Sequence, residues 1–480
     1  MNNNIPINFI DSSWAPKNGE YKKVLILNYD NWNDYGYYTS FNLFYCDDEG
    51  KVHEVGSVKI YSKQDDCVKD KLDNTITFLD NKYCSLGQDL SYYRNLKYFL
   101  PSEYKNIFKR LNDIAIFPEI KNSFIKEKGV LISLLRFSGA EKALNEATEI
   151  INDQYENKNI SFAYKVKVPY DFCPVTLVFN FERSEYFPYR INVLIGKNGT
   201  GKTQILSKIS DSLSGYTDRQ EENVFIGRRP PIDKVMSISY SAFDQFKKPP
   251  AKQNTFSYVY CGIQSEDGTL SISQLKDNFK ISYQKIQERK REGIWKDILS
   301  ELMETEHQRI IRLMMKNQLG DINWSSGQSI LISTITEVIA KIENESIILF
   351  DEPEIHLHPN AIANIMRMFY KLLEEFNSYA IFSTHSPIIL QEIPSKYIQI
   401  LDRDENILTV RQPEIECFGN NISDIVSDIF DVNSRESNYK SRLKELSGKM
   451  SYNEILNLFD NKLSLNALIF LKNCCSKENI

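Results

Sequence analysis

Several features that would place this chain in a special class are missing from it. Its eight cysteines, at 46, 67, 84, 173, 261, 417, 474 and 475, form no C-x-x-C pair, so neither a zinc ribbon nor a disulfide framework is in view. No apolar run reaches the length of a bilayer span, and the opening MNNNIPINF lacks the charged and apolar regions of a signal peptide. A soluble protein of the reducing cytoplasm, with no membrane partner, is the expectation. Positive charge is not in excess: the net charge is −6, which argues against a basic nucleic-acid coat but leaves room for a local basic patch. Histidine is scarce, with five in 480 residues, and three of them fall between 356 and 385. That crowding favours a site there.

What is present is ordinary in bulk and specific in detail. A hydrophobic fraction of 42% with 25% charged residues suits a globular chain of two or three domains. Residues Gly196 to Thr203 read GKNGTGKT, the G-x-x-x-x-G-K-[ST] pattern of a phosphate-binding loop. The apolar run Ile191–Ile195 predicts a buried strand before it. Ile205, Leu206, Ile209 and Leu213 predict a helix after it. Glycines at 196, 199 and 201 free the backbone around Asn198 and Thr200 to curl its N–H groups onto phosphate oxygens. The helix N-terminus adds a positive partial charge. Lys202 is placed to reach the β- and γ-phosphates of ATP, and the Thr203 hydroxyl to ligate Mg²⁺.

Three further strings fall in order behind this loop. Trp324-Ser325-Ser326-Gly327-Gln328 precedes a helical pattern from Ser329 to Ile342; taken alone it is only a plausible helix start. Ile347–Phe350 predicts a buried strand that ends in Asp351-Glu352-Pro353. Parallel α/β sheets present ligands at the C-terminal ends of their strands, so Asp351 can hold a metal-bound water and Glu352 can act as general base. Tyr379–Phe382 predicts another such strand, ending in Ser383-Thr384-His385-Ser386-Pro387. His356 and His358 have no Cys or His partner at zinc-ligand spacing.

Together these motifs, over about residues 170 to 412, resemble those of the ABC ATPases. The resemblance implies that SSGQ is the signature motif, with Trp324 where leucine is usual. Ser325, Ser326, Gly327 and Gln328 would then meet the γ-phosphate held by a second copy, in a nucleotide-bridged homodimer. It also implies that His385 is the switch histidine and that Gln245, after the strand Val235–Tyr240, is the glutamine loop touching Mg²⁺ and water. Transporter ATPases usually continue DEP-[TS]-x-x-L-D, whereas this chain reads DEPEIHLHP. That string resembles the SMC-related and OLD-type ATPases of genome maintenance and anti-phage defence.

The expected fold is α/β: an ABC-type P-loop ATPase domain at 166–412 with a helical subdomain near 265–320. Before it, 1–165 reads as a β hairpin (Tyr38–Tyr45 and Val52–Tyr61 around Asp47–Gly50) and then helices, one opened by a capping box at Ser138 and Glu141. Polar residues 152–168 read as the boundary, and Val175–Phe181 as the first strand of the nucleotide domain. A helical extension occupies 413–480. Asp402-Arg403-Asp404-Glu405 lies between two apolar runs and reads as a hairpin turn rather than a nuclease metal site. With no nuclease spacing visible, the chain resembles an ATPase subunit of a two-component defence system, such as Septu or a retron-associated ATPase, whose effector nuclease is a separate protein. A RecF-like or SMC-like repair ATPase is the alternative. Arg228, Arg229, Lys234, Lys247, Lys248 and Lys252 could contact DNA phosphates in either case.

Overall fold

The computed structural model describes residues 5–12, 14–154, 159–169, 171–215, 224–227, 229–241, 244–248, 258–265, 268–301, 326–355, 359–430 and 438–477. They form two compact units, 1–419 and 420–480.

The larger unit begins with strands β1 (Ile7–Ile10), β2 (Val24–Tyr29), β3 (Ser40–Cys46), β4 (Val52–Ser62), β5 (Thr75–Ile76) and β6 (Tyr83–Gly87), in the sheet order β5-β1-β2-β3-β4-β6. The expected hairpin is β3–β4. Asp47 closes its turn by accepting the amides of Glu49 and Lys51 at 3.0 and 2.8 Å, and Gly50 supplies the left-handed backbone at φ 84°. Helices α1 (Leu90–Phe99), α2 (Tyr104–Arg110), α3 (Pro118–Phe124) and α4 (Ser138–Ile151) follow. They share one core with the sheet, in which Leu27, Phe41, Ile60, Tyr92, Phe108 and Ala147 are buried.

The capping box expected at Ser138 does not form. Phe137 is the N-cap and makes no side-chain cap bond, and the Ser138 hydroxyl donates instead to the Ile232 carbonyl at 2.7 Å. The hydroxyl is drawn to a buried tertiary acceptor instead of the local backbone N–H. That bond belongs to a seam between the N-terminal region and the nucleotide-binding part. In the same seam Lys142 is buried between Asp233 and Glu345, and Arg136 donates to the Gly215 carbonyl at 3.2 Å.

Inside the polar stretch 152–168 the chain forms β7 (Ile160–Val166), whose Ile160, Phe162, Tyr164 and Val166 alternate inward. Next come β8 (Val175–Phe181), β9 (Ile191–Gly196), α5 (Lys202–Ser214) and β10 (Phe225–Ile226). β8, expected as the first strand of the nucleotide-binding part, is preceded there by β7 and lies outside the central sheet. It pairs antiparallel with β7 in a separate sheet of order β10-β7-β8. Its burial alternates, with Leu177, Phe179 and Phe181 inward and Val178 exposed, as a sheet with one wet face requires.

The central sheet is completed by β11 (Val235–Ser239), β12 (Tyr258–Gly262), β15 (Ile347–Asp351), β16 (Tyr379–Thr384), β17 (Ile398–Asp404) and β18 (Ile407–Arg411), with a separate pair of two-residue strands, β13 (Gln264–Ser265) and β14 (Gly268–Thr269), between β12 and β15. The order β12-β11-β15-β16-β9-β17-β18 is parallel except at β18. Strands β9, β11, β15 and β16 are buried along their whole length. This is why β9, β15 and β16 read as largely apolar runs rather than alternating ones.

Besides α5, the described helices of this part are α6 (Ile272–Glu288), α7 (Glu292–Ser300), α8 (Ser326–Lys341), α9 (Pro359–Glu375) and α10 (Pro387–Leu390). α6 and α7 fall in the expected helical subdomain. α8 begins three residues before the expected Ser329, on the signature itself. Asp402 to Glu405 lies at the β17–β18 hairpin, as expected, and Asp402 pairs with Arg411 at 3.0 Å.

The smaller unit is helical: α11 (Ile422–Phe430), α12 (Asn438–Ser447), α13 (Tyr452–Leu458) and α14 (Leu465–Lys477). It has its own core of Leu443, Ile455, Ala467 and Leu471. Here a capping box does form, between Ser451 and Glu454 at the start of α13. Among the described residues no helix is long and apolar enough to cross a membrane.

Candidate functional site

Parallel register gathers the site. Asp351 at the end of β15 lies opposite Ser383 of β16, and Thr384 lies opposite Ile195 of β9. Three strand tips therefore stop at one level, and the loop Lys197–Gly201 leaves β9 beside them. Gly199 and Gly201 have φ of 83° and 95°, values a side chain disfavours. Gly196 is required for a different reason: a β-carbon there would strike the Leu401 carbonyl of β17. Thr200 is buried, and its hydroxyl closes the loop on the Lys197 carbonyl at 3.0 Å. Asn198 is exposed in the same turn.

Lys202, only 5% exposed, is the first residue of α5. Its ammonium donates to the carbonyls of Gly196 at 2.9 Å and Lys197 at 3.1 Å and lies 3.4 Å from Nδ1 of His385. Burial pushes its pKa down to about 8, against the pull of Glu352, Asp351 and Glu354. Among the described residues it makes no ion pair, so its charge faces the loop uncommitted. Thr203, one residue on, donates to Asp351 Oδ2 at 2.8 Å.

The acid pair is split by environment. Asp351 is buried and accepts on its other oxygen from the Ser383 hydroxyl. Burial raises its pKa, opposed by the bonds from Ser383 and Thr203 and reinforced by the neighbouring Glu352. Glu352 turns away at φ 51°, a left-handed conformation for a residue with a side chain. It is partly exposed and meets His385 Nε2 at 2.8 Å; that hydrogen bond is the main reason its pKa is lowered. His385 thus sits between Lys202 and Glu352, touching both.

Lys202, Thr203, Asp351, Glu352 and His385 are therefore brought together as expected. Gln245 is exposed, and its carbonyl accepts the Ser207 hydroxyl of α5 at 2.8 Å, which ties the segment after β11 to the loop helix. Ser326, Gly327 and Gln328 form the first turn of α8; Trp324, Ser325, His356 and His358 lie outside the described residues. Of the basic set, Arg229 pairs with Glu141, Lys234 with Glu343, Lys247 with Asp211 and Lys248 with Asp244. Arg228 and Lys252 are not among the described residues.

Two members were missed in the sequence. Ser383 shares a register level with Asp351, a fact that needs the strand pairing. Glu354 accepts from Thr384 Oγ1 at 2.6 Å and from the His385 amide at 2.7 Å. The signal for it was on the page in DEPE, where transporters carry Thr or Ser.

Thr203 Oγ1 and Asp351 Oδ2 converge as hard oxygen donors beside an uncommitted lysine, which fits a hydrated Mg²⁺ next to a polyphosphate. The residues suit that ion, and among the described residues no cluster of three His, Cys, Asp or Glu suggests another metal.

Comparison with known proteins agrees with this geometry. Residues 273–391 match a family model described as "AAA domain, putative AbiEii toxin, Type IV TA system". Protein ea59 of Escherichia phage lambda is 27% identical over 497 residues, covering 94% of each chain. The Retron Vc95 probable ATPase of Vibrio cholerae is 28% identical over 135 residues, or 26% of each chain. Among solved structures, cbiO1 from Clostridium perfringens, part of an ABC transporter complex, is 11% identical and covers 63% of this chain and 100% of its own. The ABC transporter cassette MJ1267 in its ADP conformation is 14% identical, at 58% and 98%. Their TM-scores, 0.32 and 0.31, give them no weight beside the site itself. The chain is thus similar over residues 273–391 to the AbiEii-type AAA domain and over 26% of its length to a retron ATPase, around a site built on a phosphate-binding loop.

Proposed function

We propose that this protein binds and hydrolyses ATP with Mg²⁺ in a head-to-tail dimer, and that it is the regulatory ATPase of an anti-phage defence complex whose effector, a nuclease, is a separate protein. The carrying observation is the contact of His385 with both Lys202 and Glu352 at the mouth of the phosphate loop. That contact supports a reading in which Lys202 stabilises charge, Glu352 is the base and His385 senses the γ-phosphate.

In this reading the amides of 197–203 and the Lys202 ammonium receive the phosphates. Thr203 and Asp351, with Gln245, would hold Mg²⁺, which would offset phosphate charge and fix the leaving oxygens. Glu352 orients and deprotonates the attacking water. His385 would exchange its Glu352 contact for the γ-phosphate. Ser325, Ser326, Gly327 and Gln328 would complete the partner's site, as their resemblance to the signature motif implies.

The defence role is supported by the similarity to a retron ATPase and to the AbiEii-type family. The C-terminal unit and the N-terminal region, which hydrolysis does not need, would carry the effector contact. Phosphate release by the purified chain with ATP and Mg²⁺ tests the chemistry. Molecular mass of Glu352→Gln with and without ATP tests the dimer: a variant that stays monomeric and still turns over sinks that part. Co-purification with the products of neighbouring genes, followed by a nuclease assay on each fraction, tests the complex. Cleavage of nucleic acid by the chain alone would overturn the separate-effector reading.

A further inference from the structure

The acid turn after β15 holds the switch histidine twice. Glu352 binds its imidazole, and Glu354, two residues on, binds its backbone. Glu354 Oε1 takes the Thr384 hydroxyl at 2.6 Å and the His385 amide at 2.7 Å, and Thr384 Oγ1 in turn accepts the Ser386 amide at 2.9 Å. One carboxylate oxygen therefore orders three consecutive residues, 384 to 386, just before Pro387 opens α10. Its other oxygen, Oε2, is buried and takes no hydrogen bond among the described residues. Stability alone gives little reason to bury half a carboxylate this way, since an unsatisfied buried acceptor costs free energy. Hydrogen bonds to an ionised acceptor are roughly twice as strong as neutral ones, and here both are spent on the turn that carries His385.

We propose that Glu354 is a positioning residue for hydrolysis, fixing the backbone of the His385 turn so that the imidazole can serve Glu352 and the γ-phosphate. It touches no reacting atom. The inference rests on the ATPase reading above, so its test includes a measurement that does not need turnover.

The experiment compares Glu354→Ala, Glu354→Gln and Thr384→Val in the full chain. A displacement of about 1 Å at a reacting group costs on the order of 100-fold. Glu354→Ala is therefore expected to lower kcat about 10- to 100-fold while ATP affinity stays within about threefold. Glu354→Gln, whose amide oxygen can accept both bonds, is expected to restore most of that rate. Thr384→Val should lose less, and its effect should not add to that of Glu354→Ala, because both act through one network. In parallel, histidine-labelled protein gives a His385 imidazole signal, assigned by its loss in His385→Ala. That signal should move or broaden in Glu354→Ala and return in Glu354→Gln. Unchanged kcat, loss of affinity equal to the loss of rate, or an unmoved His385 signal would each overturn the proposal. If Glu354→Ala does not fold, Thr384→Val against wild type carries the same readouts. If wild type releases no phosphate, the hydrolysis reading fails while the His385 signal still decides whether Glu354 sets that turn.

Discussion

Lys59 in the N-terminal region and Lys202 in the phosphate loop are both buried lysines whose pKa burial pushes down to about 8, yet their surroundings are opposite. Lys59 is wholly enclosed. It bonds Asp34 at 2.6 Å and the Ser133 carbonyl at 2.9 Å, and lies 4.6 Å from the face of Phe137. Asp34 is as fully served, accepting Trp32 and Arg136 on one oxygen and Lys59 and Ser133 on the other. Burial opposes its charge, but Lys59, Arg136 and Ser133 together hold its pKa below the usual carboxylate value. The charges there are paired with one another inside the protein. Lys202 meets only carbonyls and an imidazole, next to a glutamate in a strained backbone conformation. A closed network of this kind holds structure; an open one keeps its charge for a ligand. Burial alone does not distinguish the two, whereas the identity of the partners does.

The comparison predicts which property each substitution should hit. The largest effect belongs to the open end: Glu352→Gln should reduce turnover about 10²- to 10⁴-fold by removing the base, with the thermal midpoint nearly unchanged. A comparable fall in stability would show that Glu352 is structural. Next, Asp34→Ala should destabilise the fold by about 3–5 kcal/mol, because it leaves Lys59 and Arg136 buried without their anion. Urea unfolding reads this, and a loss below about 1 kcal/mol would break the contrast. Lys202→Ala should weaken ATP binding about 10- to 100-fold, the value of a charged hydrogen bond. It should leave stability equal or higher, since an unpaired ammonium is no longer buried. Equal destabilisation by Lys202→Ala and Lys59→Ala would erase the distinction.

The smallest effect is a slope. Asp233 is buried beside Lys142, with Glu345, Asp89 and Arg94 as the other charged groups acting on it, and burial raises its pKa to about 7. Its folded value exceeds its unfolded one, so the folded state holds the extra proton between about pH 4 and 7. Stability from this group is then lost as pH rises through that window. Asp233→Asn should flatten the change in thermal midpoint between pH 5 and 8. An identical slope in wild type and variant would place the titrating group elsewhere.

Much of the site was legible because its chemistry is tied to local sequence. A phosphate loop needs its glycines, lysine and threonine within eight residues, and an acid at a strand tip follows its apolar run directly. The β3–β4 hairpin was legible for the same reason, since Asp47 and Gly50 act within their own turn. Three readings met tertiary competition. Ser138 exchanged its expected local cap for the Ile232 carbonyl, a bond across 94 residues. Val175–Phe181 has the composition of a central strand, but only half of it is buried, in another sheet. Glu354 was visible in DEPE without a role, because its donors are the last residue of a strand and the one after it, 30 and 31 residues away.

The amino-acid sequence by itself determined the loop, the acids, the histidine and their order, because each is a short-range pattern with one chemical use. Only the tertiary structure decided that His385 joins Lys202 to Glu352, that Ser383 and Glu354 belong to the site, and that Lys59 does not resemble Lys202. Those facts rest on register between parallel strands and on which polar group finds a partner after burial, and neither is written at any single stretch of the chain.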